Sequence, residues 1–163
     1  RAFIIEVLDN AKGPQIILSR SHPEFLKALF HQEVPEIQEG IVEIKSVARE
    51  PGTRSKIAVL SNDERIDPVG SCVGMKGTRV QSIIRELRGE KIDIVEWNDD
   101  PTAFVINALS PANVSRVSVV DEEQRIMEVV VEDKQLSLAI GKHHFPQRLE
   151  RVDAGLEADG FTD

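Results

Sequence analysis

The sequence has little cysteine, few aromatic residues and no long apolar run. Of its 163 residues, one is cysteine, 4% are aromatic and none is tyrosine. A single cysteine excludes an intrachain disulfide framework and suits a reducing compartment. No apolar run approaches the roughly 20 residues that span a bilayer, and no signal peptide opens the chain. We therefore expect a cytoplasmic protein that does not enter a membrane.

Basic residues are also in the minority. Twenty Lys and Arg stand against 28 Asp and Glu, which gives a formal net charge of −8. Domains that bind nucleic acid are usually basic, so this balance argues against indiscriminate binding. It does not exclude a local patch, because five basic residues between Lys76 and Lys91 face only Glu86 and Glu90, or five minus two, +3.

The first part of the chain predicts mixed helices and strands. Residues 1–19 predict a β-hairpin that looks like a fragment of something longer, and Ser21 is a plausible N-cap for a helix that Pro35 would end. Strands follow at 41–49 and 54–60, then a short helix, a glycine-rich loop, a helix that Gly89 would close, and a strand at 91–97. Strand alternation would place three apolar residues of the first strand on one face: Val42, Ile44 and Ala48.

A similar order of elements then begins again. A helix, two strands and a helix are predicted at 101–109, 114–120, 125–131 and 134–140. The last helix runs into Gly141 and Lys142, but the expected final helix and strand are missing. The length allows one ordinary domain or two small ones. We therefore expect an α+β chain of two related modules, the second incomplete.

Three kinds of site compete at the glycine-rich segment 70–77 (GSCVGMKG). A P-loop requires four residues between its first glycine and Gly-Lys-Ser/Thr, and this spacing fails. Gly70-Ser-Cys72-Val-Gly74 has the form of a nucleophile elbow, but no buried strand precedes it. Cys72 also lies on the apolar stripe of its helix, so a small core residue is the better interpretation.

The third interpretation is a Gly-x-x-Gly loop between two helices, residues 74–77. Two glycines let the backbone approach a sugar-phosphate chain, and the following helix offers N–H donors at its positive end. Lys76 and Arg79 would add mobile positive charge beside that path. Between two helices, after a strand pair and before a strand, this loop is typical of the KH module, which clamps about four nucleotides of single-stranded nucleic acid.

Longer segments resemble the KH region of the NusA family of bacterial transcription factors. They are 33–37 (EVPEI), 42–45 (VEIK), 48–52 (AREPG), 56–59 (KIAV), 66–77 (IDPVGSCVGMKG), 91–97 (KIDIVEW) and 103–112 (AFVINALSPA). The similarity runs from about residue 1 to residue 142, and segment 66–77 is its most specific part. It implies that 1–19 is the last hairpin of an OB-fold (S1-type) domain, 20–98 a first KH domain, 99–145 a partial second KH domain, and 146–163 the start of a helical segment. A helix and strand before the core hairpin imply the type II KH topology.

The resemblance also implies a function. The chain would bind single-stranded, nascent RNA within a factor that acts on RNA polymerase pausing, termination and antitermination. RNA polymerase and other transcription factors would be partners of the full-length protein. The residues expected to contact RNA are Gly70, Val73, Gly74, Met75, Lys76, Gly77, Arg79, Val80, Gly141 and Lys142. Val73 and Val80 would line an apolar groove for bases, because aromatic residues for stacking are scarce.

Some features depart from this pattern or leave alternatives open. The second loop has no second glycine, and Pro146 stands where a helix should start. The simplest account is that residues are missing between Gly141 and Phe145. We expect no cofactor and no metal, since His143 and His144 lack further ligands at zinc spacing. We also expect no enzyme activity. A KH-like interaction scaffold without direct RNA contact remains the alternative, and a hydrolase using Cys72 is remote.

Overall fold

The computed structural model describes residues 1–10, 13–121, 124 and 126–140. The elements follow in the order β1 (Phe3–Asn10), β2 (Gly13–Ser19), α1 (Pro23–Glu33), α2 (Pro35–Gln38), β3 (Val42–Glu50), β4 (Arg54–Ser61), α3 (Pro68–Val73), a single 3-10 turn (Met75–Gly77), α4 (Thr78–Glu86), β5 (Lys91–Glu96), α5 (Pro101–Leu109), β6 (Val114–Asp121), β7 (Ile126–Val131) and α6 (Asp133–Ile140). We call α1 to β5 the first module and α5 to α6 the second module. The α+β composition and the repeated order predicted from the sequence are both observed.

The first module is built on a three-stranded mixed sheet in the order β3-β4-β5. Strands β3 and β4 are antiparallel, whereas β4 and β5 are parallel. A parallel pair needs a crossover connection, and here the crossover consists of α3 and α4. Helices α1, α3 and α4 cover one face of the sheet. The main core lies between them and includes Leu26, Phe30, Ile57, Cys72 and Ile83. The crossover therefore places the glycine loop at a corner between two helices that are both anchored in this core.

The start of α1 differs from the sequence prediction. His22, not Ser21, is the N-cap, and its Nδ1 accepts a hydrogen bond from the N–H of Glu24 at 3.2 Å. Ser19 Oγ accepts from the N–H of Ser21 at 3.1 Å and from that of His22 at 3.0 Å. The helix ends at Glu33, but Pro35 opens the short helix α2 instead of a loop. Proline suits a first helical position because the N–H it lacks would have no partner there.

Strand β3 contains a bulge that the alternation rule missed. Ile44 pairs with Val59 and the next pair is Ser46 with Ala58, so Lys45 is an extra residue. A bulge shifts the alternation of the residues that follow it. Val47 therefore packs against the main core with Ile44, and the prediction that Ala48 shares their face is wrong.

The other face of this sheet is covered by the second module. Ala58 and Val95 pack with Trp97 and with Phe104 of α5, and the Trp97 and Phe104 ring centroids are 4.5 Å apart. Lys56 Nζ donates to the carbonyl oxygen of Ala108 in the last turn of α5. A cation at a helix C-terminus interacts favourably with the helix dipole, and burial lowers the pKa of Lys56. The first helix of the second module is thus fixed to the first module.

The β1–β2 hairpin is attached to the first module at its base. The Phe3 ring stacks on His22 with centroids 5.6 Å apart. Arg20 donates to Glu86 Oε1 at 2.9 Å and to the Glu86 carbonyl at 2.8 Å. Beyond this base the hairpin carries exposed apolar side chains: Ile4, Ile5, Val7, Leu8, Ile16, Ile17 and Leu18.

A buried ion pair joins the ends of the first-module strands. Arg49 Nε and Nη2 donate to the two carboxylate oxygens of Glu90 at 2.9 and 3.0 Å, and the side chains are 2% and 1% exposed. The Gly52 N–H donates to Glu90 Oε2 at 2.9 Å, and Ser55 Oγ donates to Glu90 Oε1. Burial alone would raise the pKa of Glu90, but these hydrogen bonds outweigh it and the pKa lies below its ordinary value.

Replacing Glu90 by glutamine should destabilise the protein strongly. Glu90→Gln leaves the guanidinium of Arg49 buried without its counter-charge, which costs about 3–5 kcal/mol. Urea denaturation measures the change in the free energy of unfolding. Asp93→Asn is the matched control, because its pair with Arg54 is partly exposed and should cost less than about 1 kcal/mol.

The difference in unfolding free energy between the wild type and Glu90→Gln should depend on pH. A carboxyl group whose pKa is lower in the folded state stabilises the fold fully above its unfolded pKa and loses that contribution as the pH falls through the folded value. The difference between wild type and Glu90→Gln should therefore be constant above the ordinary pKa of 4.5 and shrink at more acidic pH. A difference that did not change in acid would contradict this assignment.

Candidate nucleic-acid interface

The glycine loop, residues 74–77, joins α3 to α4 through a sharp reversal. Gly74 has φ 76° and ψ 169°, and Gly77 has φ 76° and ψ 14°. The first combination is essentially restricted to glycine, and the second is left-handed. Lys76 between them is also left-handed, at φ 53°. The backbone conformation thus requires glycine at 74 and favours glycine at 77, whatever binds the loop.

The outer side of the loop is open to solvent. Met75 is 82% exposed, and Lys76 is exposed and makes no ion pair with any residue that the structure describes. The N–H groups of Met75 and Lys76 have no backbone partner within the described chain, whereas Gly77 donates to Gly74 O at 3.0 Å. Free N–H groups beside a mobile ammonium form a small site suited to an anion.

The other predicted contact residues lie around this loop with different exposure. Gly70 and Val73 belong to α3; Gly70 is exposed and Val73 is partly exposed. Val80 is in the first turn of α4 and is only 8% exposed, which leaves little of its side chain for a ligand. Val73 can therefore offer apolar surface to a base, but Val80 mainly supports the loop from the core.

Arg79 is not the mobile cation expected from the sequence. Its Nη1 donates to Glu36 Oε2 at 2.8 Å and to the carbonyl oxygen of Ser71 at 2.6 Å. No local signal in the sequence marks Glu36 as the partner of Arg79, because 43 residues separate the two. The guanidinium is held between α2 and the end of α3.

The positive patch predicted at 76–91 is present, but both of its acidic residues are paired with arginines from elsewhere in the chain. Glu86 is paired with Arg20, and Glu90 is buried with Arg49. Both acids of the segment are therefore neutralised by basic residues from outside it. The exposed cations that remain along α4 and its ends are Lys76, Arg85, Arg88 and Lys91.

The second predicted loop cannot be compared with the first. Helix α6 leads towards it, but Gly141 and Lys142 lie outside the described residues, as does the join expected between Gly141 and Phe145. Strands β6 and β7 form a separate antiparallel pair. Assignment of RNA contacts to Gly141 and Lys142 stays a prediction.

Comparison with known families identifies the two modules. Residues 20–97 match the NusA-like first KH domain, and residues 101–150 match the NusA-like second KH domain. The chain belongs to the KH-domain region of the NusA family. This is a family of transcription factors that are not enzymes.

Relatives from several bacteria support this membership. The transcription termination/antitermination proteins NusA of Bacillus subtilis, Halalkalibacterium halodurans and Mycobacterium bovis are 56%, 55% and 53% identical, each over 98% of this chain. The matches cover 43%, 41% and 46% of those proteins. The chain therefore spans less than half the length of these relatives.

A distant solved structure shares the fold. The structure named "Crystal structure of APE1850" aligns with a TM-score of 0.55 over 80% of this chain and 88% of that chain, at 19% identity. At this identity the likeness concerns the fold alone.

The described residues show neither a metal site nor a membrane segment. Within the described ranges, no three or more His, Cys, Asp or Glu residues are grouped so that they could hold a metal ion. None of the helices described is long and apolar enough to cross a membrane. His143 and His144 lie outside the described residues.

Cys72 of this NusA-type module is a core residue. Its side chain is fully buried in α3. Burial, followed by the negative charge of Glu36, raises the pKa of the Cys72 thiol to about 12. A thiol is nucleophilic only as the thiolate, so this cysteine is unsuited to nucleophilic catalysis.

Cys72→Ser should reduce stability by about 1–3 kcal/mol, because a hydroxyl replaces a thiol in an apolar site. Urea denaturation measures this loss. In the native wild type, Cys72 should react with an aromatic disulfide reagent only as fast as the protein unfolds. Rapid reaction of the folded protein, with serine tolerated at no cost, would contradict the core assignment.

The two loop glycines should tolerate alanine to different degrees. A Cβ at Gly74 would lie 2.6 Å from Arg79 Cγ, whereas the nearest atoms to a Cβ at Gly77 are 4.0 Å away. Gly77→Ala should therefore cost about 1–2 kcal/mol, the usual strain of left-handed alanine. Gly74→Ala should cost more, and equal losses of unfolding free energy would show that the Arg79 contact is unimportant.

Proposed function

We propose that the chain binds single-stranded, nascent RNA through the glycine loop, within a transcription termination/antitermination factor. One observation carries this proposal: the loop presents exposed Lys76, with the N–H groups of Met75 and Lys76 beside it and two glycines that let a strand approach. Phosphates would accept from these N–H groups, and Lys76 would neutralise them. Phosphate contacts of this type set affinity and register but carry no base sequence information.

The family context supports the wider role. The relatives carry the name transcription termination/antitermination protein. In the full-length protein, the chain would act in the cytoplasm on RNA polymerase pausing, termination and antitermination, together with RNA polymerase and other transcription factors. The chain would present nascent RNA to that assembly.

The finer domain assignments are part of the proposal. Helices α1 and α2 precede the β3–β4 hairpin with no strand between them in the described chain, α3 and α4 follow it, and the sheet is mixed; this order supports the type II KH topology. The exposed apolar residues of β1 and β2 support the assignment of 1–19 as the last hairpin of an OB-fold domain, because an exposed apolar surface of this kind usually packs against another part of a protein. The boundaries remain those expected from the sequence, 20–98 for the first KH domain and 99–145 for the second.

A protein-interaction scaffold is the second candidate. An open cavity of about 460 Å³ lies between α1 and β3, and its lining is mixed, with apolar Phe3, Ile37, Val42 and Ile44 and polar Glu24, Lys27, His31 and Glu43. Clefts of this size can accept a partner's side chains. On this alternative the glycines would serve turn geometry only, and RNA affinity would not depend on Lys76.

Lys76→Asp should weaken RNA binding for all base sequences while leaving the melting temperature nearly unchanged. The side chain is exposed and contributes little packing, but reversing its charge repels phosphate. Fluorescence anisotropy with a labelled single-stranded RNA at two salt concentrations measures the effect. The wild type should bind less tightly at higher salt.

Glu64→Lys provides a charge-reversal control of opposite sign on an exposed residue outside the loop. It should change affinity much less than Lys76→Asp. Unchanged affinity in Lys76→Asp, or wild-type binding that does not respond to salt, would favour the scaffold.

A further inference from the structure

The side chain of Arg79 runs directly behind the glycine loop. A Cβ on Gly74 would lie 2.6 Å from Arg79 Cγ and 2.9 Å from its Cβ and Cδ. The aliphatic part of Arg79 therefore occupies the space that Gly74 leaves empty. The first residue of the loop rests on the first turn of the helix that follows it.

The guanidinium of Arg79 then connects the two sides of the loop. Nη1 donates to the carbonyl oxygen of Ser71 at 2.6 Å. This carbonyl is in the last turn of α3, where helices leave carbonyl groups without helical partners. One side chain of α4 thus satisfies the end of α3, and the loop between the two helices is held from behind.

Glu36 holds the guanidinium in this position. Its Oε2 accepts from Arg79 Nη1 at 2.8 Å, and the side chains of Arg79 and Glu36 are 29% and 26% exposed. A partly exposed pair of this kind contributes little to global stability. Its effect is instead geometric, because it links α2 to both helices that flank the loop.

We infer that Arg79 and Glu36 are positioning residues of the RNA clamp, and that Arg79 does not contact phosphate. This inference rests on the proposed function. The charge of Arg79 is matched by Glu36, whereas Lys76 makes no ion pair with any described residue. Lys76 is therefore the phosphate-binding cation of the loop, and Arg79 determines where the loop and its N–H groups lie.

The two possible roles of Arg79 make opposite predictions for Glu36. If Arg79 bound phosphate directly, Glu36 would compete with RNA, and Glu36→Gln would tighten binding. If the pair positions the loop, Glu36→Gln loosens it and weakens binding. The sign of this change separates the roles without any assumption about its size.

The salt dependence separates the roles a second time. Each phosphate contact contributes about 0.7 to the slope of log affinity against log salt for single strands. Removing a phosphate contact lowers the slope by that amount, whereas loss of positioning lowers affinity and leaves the slope unchanged.

The test measures binding of an oligoadenylate of about 12 nucleotides, longer than the four that a KH loop clamps, over a salt series. Arg79→Met removes the donor and should weaken binding roughly two- to ten-fold, the effect of one hydrogen bond, with the wild-type slope. Glu36→Gln keeps an oxygen that can accept but removes the charge of the pair, so it should weaken binding less than Arg79→Met, also with the wild-type slope. Arg79→Lys should bind close to wild type, because an ammonium can still donate to Glu36 and Ser71. Lys76→Met should weaken binding and lower the slope by about 0.7.

Glu43→Gln is the matched control for Glu36→Gln. Glu43 is also an acid in an ion pair, with Lys45, but it is more exposed than Glu36 and lies on β3. Its loss should leave both affinity and slope unchanged. Melting temperatures of all variants should remain near that of the wild type, which excludes unfolding as the cause of weaker binding.

A second readout does not depend on RNA. In the free protein, the N–H groups of Gly74 and Gly77 donate to the carbonyl oxygens of Gly70 and Gly74 at 2.9 and 3.0 Å. Amide hydrogen exchange of these two residues should be faster in Arg79→Met and Glu36→Gln than in the wild type and in Glu43→Gln. If no variant or wild type bound RNA in a salt-dependent way, the proposed function would fail, and this exchange would still test the positioning role.

Three results would overturn the inference. They are tighter RNA binding by Glu36→Gln, a lower salt slope in Arg79→Met, and unchanged loop exchange in both variants.

Discussion

The buried pair between Arg49 and Glu90 is the constraint on which the first module depends. Glu90 precedes β5, and its carboxylate accepts from Arg49 of β3, from Ser55 of β4 and from the Gly52 N–H in the turn between those strands. Arg49 also donates to the carbonyl of the α1 N-cap, His22, at 2.9 Å. A buried charge must be paired and hydrogen-bonded, so these groups have to meet in one arrangement. That arrangement determines where β5 begins and therefore where the α3–α4 crossover ends.

The glycine loop, in contrast to this buried ion pair, is fixed at its ends and exposed at its tip. Its ends are anchored because α3 and α4 contribute Cys72 and Ile83 to the main core. Its tip carries exposed Met75 and Lys76 on a backbone with positive φ at Gly74, Lys76 and Gly77. Because the ends of the loop are fixed, a ligand that bound its tip would lose little free energy in ordering the loop backbone.

The two modules are less independent than their repeated order implies. Helix α5 belongs by family similarity to the second KH domain, yet two of its residues contact the first module. Phe104 packs against the sheet of the first module, and Asn107 Nδ2 donates to the Glu96 carbonyl oxygen at 3.1 Å. With Lys56 at the end of α5, these contacts restrict the orientation of that helix. The first helix of the second module therefore has a defined direction relative to the sheet of the first module.

The sequence by itself determined most of the elements and the place of the loop. Apolar periodicity is a local property, so the order of the longer helices and strands followed from it, although the short helix α2 did not, and the spacing of Gly74 and Gly77 marked the loop between α3 and α4. Gly89, expected to close α4, indeed follows it with φ +97° and donates to the Ile84 carbonyl at 2.9 Å. The family resemblance of segment 66–77 also came from the sequence alone.

Only the tertiary structure decided which side chains meet. Arg49 and Glu90 are 41 residues apart, and Arg79 and Glu36 are 43 apart, so no local pattern could pair them. The bulge at Lys45 is equally non-local, because it depends on the register of β3 against β4, and it moved Val47 to the core in place of Ala48. The sequence predicts that Arg79 is a free cation, because it shows the positive charge of Arg79 but not its partner. The partner, Glu36, comes close only when the helices pack together.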